Sequence, residues 1–230
     1  MGSKRRISKY IVPIIQEYIN ENTTAYIEPF VGGGNIISKI ECNIRIGSDI
    51  SPPLIELLKH VRDHPEVIPD NITEEEYNNV RTNKDQYPLW YVGLIGFNCT
   101  FGGKYWGGYA RAIQQNGETR NQSVLRNLKK WCVNLQGIEF VCCDYKQYSD
   151  IENCVIYCDP PYLNTTVYEN KFDSLKFYDW VRAVSLRNTV LVSEYQMPDD
   201  FRCIWQKDVT VNLDANNSKP RTEKLFMWGV

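Results

Sequence analysis

An apolar run at residues 25–30 leads into three consecutive glycines, Gly32-Gly33-Gly34, and no other feature of the 230-residue chain restricts its fold so tightly. A strand that ends in a glycine turn brings its backbone close to whatever binds there. After it, residues 35–40 read as a helix start and residues 44–47 as a second strand ending at Asp49, with a helix over 52–61. This strand–turn–helix–strand–acid order opens a nucleotide-binding α/β sheet. A dinucleotide fingerprint wants a sixth-position glycine, and Ile37 stands there, so a nicotinamide cofactor is disfavoured. Asp49 suits the ribose hydroxyls of a nucleoside cofactor, and reads equally well as a helix cap beside Ser48 and Ser51.

The alternation lapses over residues 63–117, which carry turn residues, acids and an aromatic, glycine-rich stretch. This segment is read as an inserted lobe, leaving residues 1–62 and 118–230 as one core domain. Alternation resumes with a helix near 122–135 and strands at 138–142 and 154–158. A helix near 175–186, a strand at 189–193, and strands near 201–205 and 224–228 follow. The last two form a hairpin across 212–221. The sum is an α/β fold with a Rossmann-like sheet of about seven strands, mostly parallel with an antiparallel last strand.

Hydrophobic content of 43% and charged content of 23% are those of a soluble globular chain. No apolar run approaches the ~18–20 residues that cross a bilayer. The basic start lacks the apolar stretch of a signal peptide, so secretion is not expected. Cys142, Cys143, Cys154 and Cys158 sit in apolar runs, without Cys-x-x-Cys pairs, and read as reduced core thiols. His60 and His64 stand four apart on an expected helix, but no third ligand is near, so no metal is expected. Net charge is −2, which does not advertise a nucleic-acid binder. Between Asn98 and Trp131, however, six basic residues (Lys104, Arg111, Arg120, Arg126, Lys129, Lys130) face one acid, Glu118. Lys4, Arg5, Arg6 and Lys9 form a second basic group, and Lys219, Arg221 and Lys224 a third.

Asp159-Pro160-Pro161-Tyr162 carries the chemistry. It follows an apolar strand and so lies at the carboxyl edge of the sheet, where open α/β proteins keep their sites. An exocyclic amine on a base is a poor nucleophile because its lone pair is delocalised into the ring. A carboxylate accepting one N–H and a backbone carbonyl accepting the other draw the nitrogen toward tetrahedral geometry. Asp159 supplies the first acceptor and the Pro160 carbonyl the second, while both prolines stiffen the loop. Tyr162 offers a ring on which an unstacked base can lie. The plainer reading is a proline-capped strand end with a packed tyrosine.

In order and in motif the chain resembles the Dam-like, phage-type adenine-N6 DNA methyltransferases, over nearly its whole length. Ile27-Glu28-Pro29-Phe30-Val31-Gly32-Gly33-Gly34 resembles their cofactor-binding motif and Tyr157-Cys158-Asp159-Pro160-Pro161-Tyr162 their catalytic motif. The resemblance implies S-adenosylmethionine as cofactor. It would be held by Lys9, Tyr10, Glu28, Pro29, Phe30, Gly32, Gly33, Gly34, Asn35, Asp49, Ile50, Asp144, Tyr145 and Asp159. Before Lys9 the family's aromatic and glycine pair is replaced by Arg5-Arg6-Ile7-Ser8. The segment Phe97 to Arg111 resembles a DNA-contacting stretch, implicating Asn98, Thr100, Phe101, Lys104, Tyr105, Trp106 and Arg111. Asn216, Asn217, Lys219 and Arg221 are a second candidate contact. The lobe at 63–117 then becomes a recognition lobe and the partner double-stranded DNA, for a cytoplasmic monomer or weak dimer that needs no membrane. Cofactor and flipped adenine would meet between the ends of the first and fourth strands. The rival readings are a cytosine-N4 or RNA-base methyltransferase, and a catalytically silent DNA-binding module.

Overall fold

Tyr26 and Ile27 are neighbours on one strand, both buried, and they enter different cores. The same split recurs at Val155 and Ile156 and at Leu191 and Val192. Side chains along a strand alternate between faces, so a strand apolar at consecutive positions must be covered on both sides. The computed structural model describes residues 4–161, 172–214 and 217–229, and side chains outside 210–221.

Seven strands form one sheet in the order β3-β2-β1-β4-β5-β7-β6. They are β1 (Tyr26–Glu28), β2 (Arg45–Asp49), β3 (Ile138–Cys142), β4 (Val155–Cys158), β5 (Thr189–Glu194), β6 (Phe201–Asp214) and β7 (Asn217–Trp228). β1 to β5 are parallel, and β7 runs antiparallel between β5 and β6. The chain visits β1, β2 and β3 on one side, then returns to place β4 on the other side of β1. That reversal is the topological switch point of the sheet, where open α/β proteins hold ligands in a crevice beyond the carboxyl ends of the strands. The final hairpin is longer than the short strands expected at 201–205 and 224–228.

One face is covered by α1 (Ser8–Glu17), α2 (Pro52–Asp63) and α5 (Arg120–Trp131), through Ile11, Ile15, Ile55, Leu58 and Leu125. The other is covered by α6 (Ser174–Ser185), through Phe177, Val181 and Val184. α5 starts earlier than the expected residue 122 because Thr119 and Gln122 form a reciprocal capping box. No helix expected after the glycines forms: residues Ile37–Lys39 make a single 3-10 turn, and Ile40 is already extended (ψ 136°). Left-handed Gly32 and Gly34 (φ 48° and 65°) bend the chain first, and β2 begins at Arg45.

The segment at 63–117 is helical, with α3 (Glu74–Thr82) and α4 (Leu89–Asn98). Both contribute to the core beneath α2: Tyr77, Val80, Val92, Leu94 and Ile95 are buried with Leu58 and Val61. Contact between α4 and α2 is close enough to require a glycine, since a Cβ at Gly93 would lie 2.1 Å from the Pro53 carbonyl oxygen. All eight cysteines are free thiols. No helix among the described residues is long and apolar enough to cross a membrane.

Candidate active site

Three loops meet at the crevice: the glycine turn after β1, the Asp49 loop after β2 and the Asp159 loop after β4. Val31 N–H donates to the Ser48 carbonyl (2.8 Å) and Gly34 N–H to the Val31 carbonyl (2.8 Å), which folds the glycine turn back over β2. A Cβ built on Gly32 would meet nothing within 4 Å, so this turn borders open space. Asp49 is half-buried, and its Oδ1 accepts the Ser51 N–H at 3.1 Å. Burial pushes its carboxyl above the usual value, against the pull of backbone N–H groups at Ser51, Gly32 and Ile50. The cap preceding α2 is Ser51, whose side chain makes no capping bond, so Asp49 is not the cap of that helix. Beside it Ile50 is 62% exposed, an apolar side chain next to an acid.

Asp144 is exposed and accepts the Lys146 N–H (2.9 Å). Phe30 and Tyr145 pack at 5.7 Å, and both meet Phe177, at 5.6 and 5.4 Å. Phe30 thus braces the glycine turn against the aromatic core under α6. Asn35 and Gly33 complete the turn, where a Cβ on Gly33 would reach 3.0 Å from Asn35 Nδ2.

Glu28, at the end of β1, is buried and accepts the Tyr26 hydroxyl at 2.7 Å. Burial, reinforced by the negative Asp159, raises its pKa to about 8. Glu28 therefore stays protonated in the folded chain while it ionises in the unfolded one above about 4.5. Stability falls as pH rises from 4.5 to 8 and levels off above that. The expected penalty above pH 8 is of order 4–5 kcal/mol, since each pH unit is worth about 1.36 kcal/mol. Glu28→Gln keeps an acceptor for Tyr26 without the titration. Urea unfolding should find it near wild type at pH 5 and more stable at pH 8; an equal difference at both would refute this reading.

Asp159 follows β4, its side chain 20% exposed, and Pro160 is buried behind it. The lysine that reaches it is Lys4: the buried ammonium lies 3.3 Å from Asp159 Oδ1 and 2.8 Å from Glu223 Oε2 on β7. Burial alone would push the Lys4 pKa down, but the two carboxylates outweigh it and hold it above the ordinary lysine value. Glu194, also buried, has its pKa pushed up to about 7, mainly by burial. Lys9, expected at the cofactor, is exposed and lies over the Tyr10 ring at 5.0 Å. Tyr10 in turn stacks on Trp205 of β6 and meets Lys207 at 4.2 Å. The reason is the helix phase: Ile7, Ile11 and Ile15 face the core, which turns Lys9 outward. No local pattern marks Lys4, since its partners stand 155 and 219 residues away.

In the expected DNA-contacting stretch the loop from Thr100 to Tyr109 is closed by a bridge between these two residues. Thr100 is fully buried and its hydroxyl donates to the Lys104 carbonyl (2.8 Å), so its side chain shapes the loop. Tyr105 stacks on Phe97 (4.4 Å), and Trp106 meets Tyr77 edge-on (5.2 Å), so both rings are half-buried packing. Phe101 is 71% exposed, Lys104 is exposed, and Asn98 is half-buried at the end of α4. Arg111 makes a bidentate pair with Glu74, Arg126 pairs with Glu118, and Lys129 reaches Asp70 at 2.5 Å. Glu74, Glu118 and Asp70 thus engage three of the six basic residues. Lys104, Arg120 and Lys130 make no ion pair among the described residues. Tyr162 and Asn216 lie outside the described residues, as do the side chains of Asn217, Lys219 and Arg221.

At the β1/β4 switch point Asp49 thus stands on one side and Asp159-Pro160-Pro161 on the other. Residues 1–201 match the D12 class N6 adenine-specific DNA methyltransferase family. The chain belongs to this family. Over 211 residues it is 25% identical to the type II methyltransferase M.FokI of Planomicrobium okeanokoites, covering 81% of this chain and 32% of that protein. Over 182 residues it is 26% identical to a DNA adenine methylase of Vibrio cholerae, covering 68% and 63% respectively. The chain therefore spans from about a third to just under two thirds of these relatives. Among solved structures, the rRNA methyltransferase aviRa from Streptomyces viridochromogenes aligns with a TM-score of 0.46 at 10% identity, over 99% of this chain and 86% of that one. The family match ends at residue 201, so nearly all of the β6–β7 hairpin, Glu223 included, lies beyond it.

Proposed function

We propose that this chain transfers a methyl group from S-adenosylmethionine to the N6 amine of an adenine turned out of duplex DNA. The observation that carries the reading is Asp159, a carboxylate at the switch point with two prolines behind it and Lys4 against one oxygen. The crevice suits the cofactor on three counts: open space over Gly32, the half-buried acid Asp49, and exposed Ile50 beside it. Gly32–Gly34, Asp49, Ile50 and Asp144 would hold it, with Glu28 and Phe30 beneath. A phosphate-bearing nucleotide would call for a helix N-terminus after the glycines; S-adenosylmethionine has no phosphate, and only a 3-10 turn follows. Its sulfonium supplies the electrophilic methyl group, so the protein's task is positioning.

Asp159 and the Pro160 carbonyl accept the two amine hydrogens and localise the nitrogen lone pair. Proline stiffening keeps both acceptors aimed before substrate arrives, so little reorganisation is left for the reaction itself. Lys4 fixes the other edge of the carboxylate. Residues 63–117 serve as the recognition lobe, and exposed Phe101 is its candidate to fill the gap left by an extruded base. Tyr105 and Trp106 support that loop from behind.

Cofactor binding is tested by titration. Asp49→Ala should weaken S-adenosylmethionine binding by ~1.5–3 kcal/mol, the usual worth of a hydrogen bond to a charged group. Excess cofactor should restore much of the rate; an unchanged affinity would remove Asp49 from the site.

The DNA surface is tested by salt. Each lost phosphate contact should flatten the log–log slope of affinity against salt by about 0.9. Lys104→Ala should show that change. Arg111→Ala should show less, because Arg111 is already held by Glu74. Wild-type affinity in Lys104→Ala across the salt series would move the recognition surface off this lobe.

A further inference from the structure

Lys4 is one cation shared unequally by two carboxylates. It gives its shorter contact, 2.8 Å, to Glu223 Oε2 and a longer one, 3.3 Å, to Asp159 Oδ1. All three groups are largely shielded: relative exposures are 6% for the Lys4 side chain, 12% for Glu223 and 20% for Asp159. Glu223 belongs to β7, and Tyr195, just past β5, lies 3.5 Å from its other oxygen.

We infer that Glu223 is a positioning residue for methyl transfer, acting through Lys4 to keep Asp159 available to the amine. An ammonium in direct contact with a carboxylate takes up part of its acceptor strength, and charge-assisted bonds of this kind are among the strongest in proteins. By holding Lys4, Glu223 keeps that contact long, so Asp159 is fixed in place without being fully claimed. With Glu223 neutral, Lys4 moves onto Asp159 and competes with the substrate amine for the same oxygens. The link also has a direction in the fold: Glu223 stands two residues along β7 from Arg221, at the base of the terminal hairpin. Lys4 thus joins that hairpin to the acceptor.

This inference rests on the proposed role of Asp159, and wild-type transfer to duplex DNA is the control that judges that role separately. Glu223→Gln keeps size and hydrogen bonding but removes the charge. Its kcat should fall about 10–100-fold, while the KM for DNA and the affinity for S-adenosylmethionine stay within about threefold, as for an interaction realised in the transition state. Glu223→Asp, which restores the charge, should recover part of the rate. In a Lys4→Met background, adding Glu223→Gln should cost less than about threefold more, because groups acting through one another are not additive. Wild-type kcat in Glu223→Gln, a loss confined to the KM for DNA, Glu223→Asp no better than Glu223→Gln, or full additivity with Lys4→Met would each overturn it.

Discussion

Asp159→Ala should leave a folded protein that binds S-adenosylmethionine and DNA but transfers methyl groups at least about 10²–10³-fold more slowly, the usual cost of deleting one preorganised group at a reacting centre. The loss should fall on kcat, since the carboxylate's contact with the amine matters most as the nitrogen becomes tetrahedral. Stability should change little or rise. Removing Asp159 leaves Lys4 still paired with Glu223 at 2.8 Å, and it removes a negative charge that helps raise the pKa of Glu28. Transfer within about threefold of wild type would take Asp159 out of the reaction.

Lys4→Met should be costly in the opposite sense, to stability before activity. Lys4 is buried between Asp159 and Glu223, with Glu194 also in its field. Removing one partner from a buried charge cluster typically costs about 3–5 kcal/mol, because the remaining charges are left without compensation. Lys4 is also among the groups that hold the Glu194 pKa down, so its loss pushes that carboxyl further above its ordinary value. The Lys4 pKa is raised above its ordinary 10.5, so its contribution is fully present through neutral pH and is lost only above that range. The deficit of Lys4→Met against wild type should be larger at pH 8 than at pH 5, where Glu194 is protonated whether or not Lys4 is present. Chemical denaturation at the two pH values measures it. A deficit under about 1 kcal/mol at pH 8 would mean that the three charged groups are not coupled as the geometry implies.

The parts of this arrangement that a linear reading reaches are those with local causes. β3 is read at its own bounds because Ile138 and Phe140 alternate with less buried neighbours. β4 is read because it is an apolar run ended by prolines. The switch point follows from where Gly32 and Asp159 fall relative to their strands. α4 escapes because a helix apolar on every side has no periodicity to betray it, and Val92 to Gly96 are buried without a break. α3 did carry a signal, Thr73 three residues before Glu76, and Thr73 indeed caps the helix by accepting the Glu76 N–H. The helix expected at 35–40 fails because two left-handed glycines and an early β2 outweigh the local pattern.

The candidate site divides along the same line. The glycine turn, Asp49 and Asp159 are legible because each closes a strand. Lys4 is not, since in sequence it is one of a run of basic residues that looks like a phosphate-binding surface. Only the fold carries β7 back beside β5, and so brings Glu223 to Lys4 across 219 positions. The charge of the central lobe misleads for a related reason. Counting Asn98 to Trp131 finds a strongly basic segment, but Asp70 and Glu74, outside that window, fold back onto Lys129 and Arg111. Charge clusters are settled by three-dimensional neighbours, and a window of sequence samples only one dimension of them.

The central claim is that Asp159 prepares an adenine N6 amine for methylation, and nucleoside analysis of the product tests it most directly. Duplex DNA incubated with the protein and isotopically labelled S-adenosylmethionine is digested to nucleosides and separated by mass spectrometry, alongside the Asp159→Ala variant and an RNA control. Label should appear as N6-methyladenine in DNA, with Asp159→Ala at or near background. Label on cytosine N4, label in RNA alone, or equal N6-methyladenine from wild type and Asp159→Ala would contradict it.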